Sequence, residues 1–196
     1  MARASTAPVG RRVRVGAALA LLTPAVFAAL AASPATTAAL ASCPHANAYS
    51  HQTSLANLRT AMRCLVNRKR DKHGLRKLRD NDRLASAARR HTNVMLGEDC
   101  FEHRCPGEPG LRKRIKQSGY LKGAKHYYFA EDLGFDRTPK RMIQRLMNSR
   151  YNRRNILGRD WCDIGVGAGW GSPDESRDDS KYETFTILFA WRKQRC

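Results

Sequence analysis

The sequence predicts a single α+β domain, and three observations carry that expectation. Apolar residues recur at helical spacing in four separate segments between residues 54 and 147. From residue 164 onward the period drops to two, in a pair of alternating runs separated by a polar loop. The chain has 196 residues, 42% of them apolar, which suits one hydrophobic core and excludes a wholly disordered chain. Six cysteines are too sparse to hold a chain of this length by cross-links alone. One segment at most is apolar enough to cross a membrane, and neither an internal repeat nor a glycine-rich phosphate loop is present.

At the N-terminus, Arg3, Arg11, Arg12 and Arg14 precede or open the Ala/Leu/Val-rich run at 15–32, and small residues follow to Ala39-Leu40-Ala41. Positive, apolar and A-x-A segments in that order read as a secretory signal peptide. A retained anchor is the alternative, because the run has about the length of a bilayer span; Pro24 and the cleavage-like site favour removal. Leu40-Ala41-Ser42-Cys43 also has the form of a lipoprotein processing box. Residues 33–37 separate it from the apolar run, however, and lipidation of Cys43 would leave an odd number of cysteines. The expected organisation is a signal peptide at 1–41, an N-terminal tether at 42–53 and the domain at 54–196, with no transmembrane span after cleavage. Cleavage removes four arginines and no acid, so 36 basic and 17 acidic residues become 32 and 17, a net charge of +15. All six cysteines lie in the exported part, where thiols oxidise.

Leu55, Leu58, Met62, Leu65 and Val66 place an amphipathic helix over residues 54–70, with Gly74 closing it after Lys72-His73. Cys64 lies about half a turn from that stripe, so a Cys43–Cys64 bridge would strap the tail across the helix's outer face. Asn81 or Asp82 caps a second helix with the stripe Leu84, Ala88, His91 and Met95. A short third helix at 111–118 follows Pro109-Gly110 and ends at Gly119. Thr138-Pro139 opens a fourth, with Met142, Ile143, Leu146 and Met147 on one side. Residues 164–171 then alternate apolar residues with glycines, a strand whose glycine face lets another element approach closely. Beyond the polar loop at 172–181, Phe185, Ile187, Phe189 and Trp191 share one face of a second strand, which gives a C-terminal antiparallel hairpin. That hairpin brings Cys162 and Cys196 to the same end, and a Cys100–Cys105 bridge closes a tight loop around His103. The expected disulfides are therefore Cys43–Cys64, Cys100–Cys105 and Cys162–Cys196.

Several segments stand in a recognisable order. Leu65-Val66-Asn67-x-x-Arg70-x-x-x-Gly74-Leu75-x-x-Leu78 is followed by Leu84-Ala85-x-Ala87-Ala88-x-x-His91-x-x-x-Met95. Next come Phe101-Glu102-His103, Arg114-Ile115-x-x-x-Gly119-Tyr120 and Ala130-Glu131-Asp132-Leu133. Met147-Asn148-Ser149-x-x-Asn152-Arg153-x-Asn155-Ile156-Leu157, Ile164-Gly165-Val166-Gly167 and Phe185-Thr186-x-x-Phe189 complete the series. Together, over about residues 55–191, they resemble the short bacterial branch of the CAP superfamily, whose SCP domain occurs in cysteine-rich secretory, antigen 5 and pathogenesis-related 1 proteins. The resemblance implies an α-β-α sandwich and a secreted, usually non-enzymatic domain. It also implies a shallow cleft lined by His and Glu, which in some members holds a divalent metal. Various members bind lipids, glycans or protein partners.

The residues here that match the family's cleft are His103 and Glu131. An imidazole and a carboxylate can share a proton, position a water or contribute two metal ligands. The histidine of the family's G-H-R segment is Asn152 here, and the neighbouring Pro-Gly is Arg150-Tyr151. Asn152 can hydrogen-bond a ligand but cannot act as a general base near neutral pH. A further Glu and His of larger relatives correspond to positions near Ser149 and 182–184. One His and one Glu fall short of the three or four ligands of a stable zinc site. No cofactor is therefore expected, with a weak divalent metal at His103 as the alternative. Cys100, His103 and Cys105 could themselves ligate zinc, but they lack a second thiolate pair and the oxidising compartment favours the disulfide. His91, on an apolar stripe, reads as a satisfied core residue, and Asn155 as a turn or capping residue.

The basic residues come from many segments, among them Arg68-Lys69-Arg70, Arg112-Lys113-Arg114-Lys116 and Arg153-Arg154, and read largely as solvated helix faces. Their excess attracts polyanions within a Debye length of about 8–10 Å. In a secreted protein these are anionic cell-envelope polymers or lipid headgroups, with no specific nucleic acid expected. Tyr120, Tyr127, Tyr128 and Phe129 flank the Glu131 segment and can stack on sugars or apolar chains as well as pack in a core. The expected function is a secreted, non-enzymatic binding module whose cleft at His103, Glu131 and Asn152 holds a small lipid, glycan or peptide ligand. Two alternatives remain open: an extracellular hydrolase using Glu131 and His103, and a basic surface protein that binds polyanions.

Overall fold

A computed structural model describes residues 42–193 apart from residues 175 and 178. The signal-peptide reading and the Cys162–Cys196 pairing fall on residues 1–41 and 196, outside the described residues. Ser54 accepts a hydrogen bond from the Asn57 amide and starts α1 (Leu55–Asp71), which buries Leu58, Met62, Leu65 and Val66. Gly74, at φ +66°, turns the chain away from the helix end. Asn67 then clamps the turn, its side chain accepting from the Leu78 amide at 2.8 Å and donating to the Leu78 carbonyl at 3.1 Å. Two residues form β1 (Arg79–Asp80), and the Asn81 side chain caps α2 (Asp82–Gly97). The short α3 (Leu111–Gln117) follows a long loop, and β2 (Tyr127–Asp136) runs along the sheet. Thr138 caps α4 (Pro139–Asn148), Ser149 caps α5 (Arg150–Ile156), and β3 (Asp163–Trp170) and β4 (Glu183–Arg192) close the chain.

The four strands lie in the order β1-β3-β4-β2. β1 is parallel to β3, and the β3–β4 and β4–β2 pairs are antiparallel. On one face, Ile164, Val166, Phe185, Ile187 and Phe189 pack with α1, α4 and Ile156 of α5. On the other, Leu188 and Ala190 pack with Leu84, Ala87 and Ala88 of α2 and Ile115 of α3. The described residues thus form a helix–sheet–helix sandwich, with β2 at one edge of the sheet.

The glycine face of β3 behaves as its sequence implies. A Cβ built on Gly165 would stand 2.3 Å from the Leu84 carbonyl carbon, and one on Gly167 would stand 2.5 Å from the Ala88 backbone. Helix α2 therefore rests directly on the strand backbone, and Thr92 donates to the Thr186 hydroxyl at 2.9 Å on the next strand.

Three features differ from the sequence reading. The Cys43–Cys64 disulfide forms, but Cys43 is buried in the α1–α4 core with Ala46 instead of crossing an exposed helix face. Arg70 does not belong to a solvated face. It is fully buried and its guanidinium donates to the carbonyls of Arg76, Ile156 and Gly158, while burial, reinforced by Arg76, lowers its pKa to about 10. Strands β1 and β2 and helix α5 are additional to the four helices and one hairpin that periodicity reveals. β1 is too short to show a period, and β2 carries adjacent Glu131 and Asp132, one on each face, which breaks any alternation.

The close α2–β3 approach predicts that Gly167→Ala destabilises the fold by roughly 2–3 kcal/mol through overpacking. Gly97→Ala, at an exposed helical position with nothing within 4 Å, should instead be neutral or stabilising by up to about 1 kcal/mol. Urea unfolding of the two variants checks the pair.

Candidate functional site

Glu131 sits on the face of β2 that meets α2 and α3, where its side chain is 1% exposed. Such a carboxylate needs partners, and three elements supply them. From α3, Arg114 lies one helical turn beyond Leu111, so its guanidinium turns inward with Ile115. Its Nη2 donates to Glu131 Oε2 at 3.1 Å and to the His103 carbonyl at 2.8 Å. The loop between α2 and α3, cross-linked by Cys100–Cys105, brings in His103, whose Nδ1 lies 2.9 Å from the same Oε2. With a carboxylate as acceptor, Nδ1 carries the proton and Nε2 faces away from Glu131. The His103 side chain is 67% exposed. The dyad therefore joins a sealed carboxylate to a ring open to solvent.

A second carboxylate lies behind the first. His91, fully buried on α2, hydrogen-bonds through Nδ1 to Glu108 Oε2 at 2.8 Å, and its Nε2 is 3.9 Å from Glu131 Oε2. Arg114 Nε stands 3.7 Å from Glu108 Oε1, so one guanidinium serves both acids. Burial lowers the His91 pKa despite the attraction of Glu131 and Glu108. The hydrogen bond to Glu131 raises that of His103, against burial. His91 is thus the neutral internal imidazole and His103 the one that gains a proton readily.

On the opposite face of β2, Asp132 is fully buried and accepts from Asn155 Nδ2 of α5 at 2.7 Å. Its other oxygen has no hydrogen-bond partner among the described residues, and burial pushes its pKa up to about 7. A comparable buried acid, Glu183 at the start of β4, is pushed up to about 8 by burial and by neighbouring Asp136.

The structure thus brings His103 and Glu131 into contact. Asn152 lies on α5 one turn before Asn155, its amide held by the Ser149 hydroxyl at 3.5 Å. Among the described residues, no contact joins the Asn152 side chain to His103 or Glu131. Among those residues, too, no three His, Cys, Asp or Glu side chains converge as a metal-binding group. Arg114 also occupies the carboxylate that a cation at His103 would need. The Cys100–Cys105 disulfide removes the thiolates of the alternative zinc reading.

Sequence reasoning missed Glu108, Arg114 and Asp132 and gave His91 and Asn155 purely structural roles. A signal was present for Arg114, at i+3 from Leu111 and beside Ile115 on a seven-residue helix. None was available for Glu108, which reaches His91 from a loop. Phe101, 42% exposed and edge-on to Phe135 at 5.1 Å, adds an apolar lip beside the His103 loop.

Comparison with known proteins agrees with this architecture. The sequence pattern of the cysteine-rich secretory protein (CAP) family matches residues 64–189. The chain is 30% identical over 112 residues to the uncharacterised protein YkwD of Bacillus subtilis, covering 53% of this chain and 39% of the length of that relative. An outer surface protein of Borrelia burgdorferi is similar in structure, with a TM-score of 0.59 and 20% identity over 74% of this chain and 99% of that one. An extracellular protein with an SCP domain from Bacillus anthracis gives a TM-score of 0.54 and 20% identity, over 71% of this chain and 44% of its own.

Asp132 makes stability depend on pH. The native state keeps a proton there that the unfolded chain releases near pH 4, so stability declines as pH rises from about 4 toward about 7. His103 acts in the same direction: its contribution is complete below the unfolded value near 6.5 and lost as pH rises through the higher folded value. Asp132→Asn should flatten the decline between about pH 4.5 and 7 while leaving the parts due to His103 and Glu183. Urea midpoints across that range for both proteins check it; parallel curves would contradict the assignment.

Proposed function

This chain belongs to the cysteine-rich secretory protein (CAP) family, and from that premise we propose that it is an extracellular, non-enzymatic binding module. Its cleft, at His103 and Glu131, takes a small lipid, glycan or peptide ligand. Two structural relatives, one an outer surface protein and the other an extracellular protein, support the compartment. The Cys43–Cys64 and Cys100–Cys105 disulfides and the basic balance suit it as well.

One observation carries the binding reading. Oε2 of Glu131 already accepts from Arg114 and faces the Nδ1 proton of His103. Its role is to orient the imidazole. Protonated His103 presents an Nε2–H donor to a carboxylate, phosphate or carbonyl of a ligand. The exposed Phe101 receives the apolar part beside it. A catalytic base would need Glu131 to reach a substrate proton itself.

Oleate, chitotriose and a short peptide serve as probes of the three ligand classes, with imidazole resonances as the readout. At least one should shift the His103 signals, with no turnover of nitrophenyl esters or glycosides. Glu131→Gln should weaken that binding about five- to tenfold, as loss of one charge-assisted hydrogen bond implies. Turnover that disappears in Glu131→Gln would favour the hydrolase, and silence at His103 with all three probes would remove the cleft from the function.

A further inference from the structure

We propose that a hollow at the start of β2 and the end of β4 is a second binding site, built for an anionic glycan chain. It is a groove of about 830 Å³ that shares none of its lining residues with the His103 cluster. Its floor is aromatic. Tyr128 and Trp191 form a cross-strand pair, stacked at 4.8 Å and 19°, and Tyr128 remains 40% exposed. Behind them Trp161 lies 5.2 Å from Tyr128 and 6.2 Å from Phe189, so the aromatic ladder runs from solvent into the core.

The rim is cationic. Arg112 lies over the Tyr127 ring at 5.8 Å and donates to its hydroxyl through Nε at 3.0 Å and Nη2 at 2.7 Å. Lys125 and Lys193 complete the rim, and among the described residues the lining holds no carboxylate. Among the described residues none of these three cations takes part in an ion pair. Elsewhere, Arg141 and Arg145 share Asp136, and Arg79 pairs with Asp163. Arg112 also lines a second hollow of about 510 Å³, where Lys113 and Lys116 extend the positive edge.

Aromatic faces pack against the C–H faces of sugar rings, while Arg and Lys bind carboxylate or phosphate substituents. Two hollows joined at one arginine suit successive units of a chain better than a single small molecule. Single-stranded nucleic acid uses the same two chemistries. The choice of a glycan rests on the extracellular reading above, whereas the groove itself does not depend on the His103 cleft.

Fluorescence anisotropy of end-labelled oligogalacturonate, at physiological ionic strength, tests the proposal with the purified protein. A phosphorylated mannan fragment, methyl-esterified oligogalacturonate and oligo-dT are the comparison probes. The native protein should bind a carboxylated or phosphorylated glycan, their ratio identifying the preferred anion, and should bind the ester at least about tenfold more weakly. Replacing Arg112, Lys125 and Lys193 together by Gln should cost about tenfold or more. The same charge removal at Lys69, Lys72 and Lys140 should cost about threefold or less. Tyr128→Ala should cost about fivefold, and His103→Ala should change nothing. Equal losses in the two triple variants would reduce the binding to general charge attraction and overturn the site. So would failure of both acidic glycans to bind, tighter binding of oligo-dT through the same residues, or loss of binding in His103→Ala.

Discussion

The candidate site depends on one buried carboxylate having a cation on its inner side and an imidazole on its outer side. Glu131 lies on an edge strand of the sheet, yet its side chain is almost completely sealed. A charge stripped of its partner in such a position costs about 3–5 kcal/mol. Arg114 answers that cost, and the same guanidinium fixes the His103 carbonyl and approaches Glu108. One side chain of a short helix therefore ties the loop to the buried carboxylate that orients the exposed ring.

The packing of the sheet makes this arrangement possible. Glycines 165 and 167 let α2 settle onto the backbone of β3, and a Cβ at either position would push the helix outward. Because α2 lies so low, His91 comes within reach of both Glu108 and Glu131. The Cys100–Cys105 link closes a tight ring within the long α2–α3 loop, and that ring returns His103 to the strand edge. Local sequence, helix packing and site chemistry are consecutive steps of one mechanical chain.

Much of this was readable before any coordinates. The stripes of α1, α2 and α4, the start of α2 at Asn81 or Asp82 and the Thr138-Pro139 opening of α4 follow from periodicity and side-chain chemistry. The glycine alternation of β3 announces its close neighbour, and matched family segments single out His103 and Glu131. What stayed hidden depends on tertiary context. β2 shows no alternation because both of its faces carry an acid at its centre. Arg70 and Arg114 look like members of solvated basic runs, although each is buried where backbone carbonyls or carboxylates await it. Glu108 joins the cluster from a loop, across seventeen residues from His91, and no local pattern encodes such a pairing.

If Glu131 exists to orient His103, the proton on the ring has a fixed place. Long-range proton–nitrogen correlation spectra of the imidazoles, recorded above the His103 titration, report that place directly. The account predicts His103 as the Nδ1–H tautomer, with Nε2 unprotonated and open to solvent. An Nε2–H tautomer, or the averaged mixture of an unrestrained histidine, would contradict it.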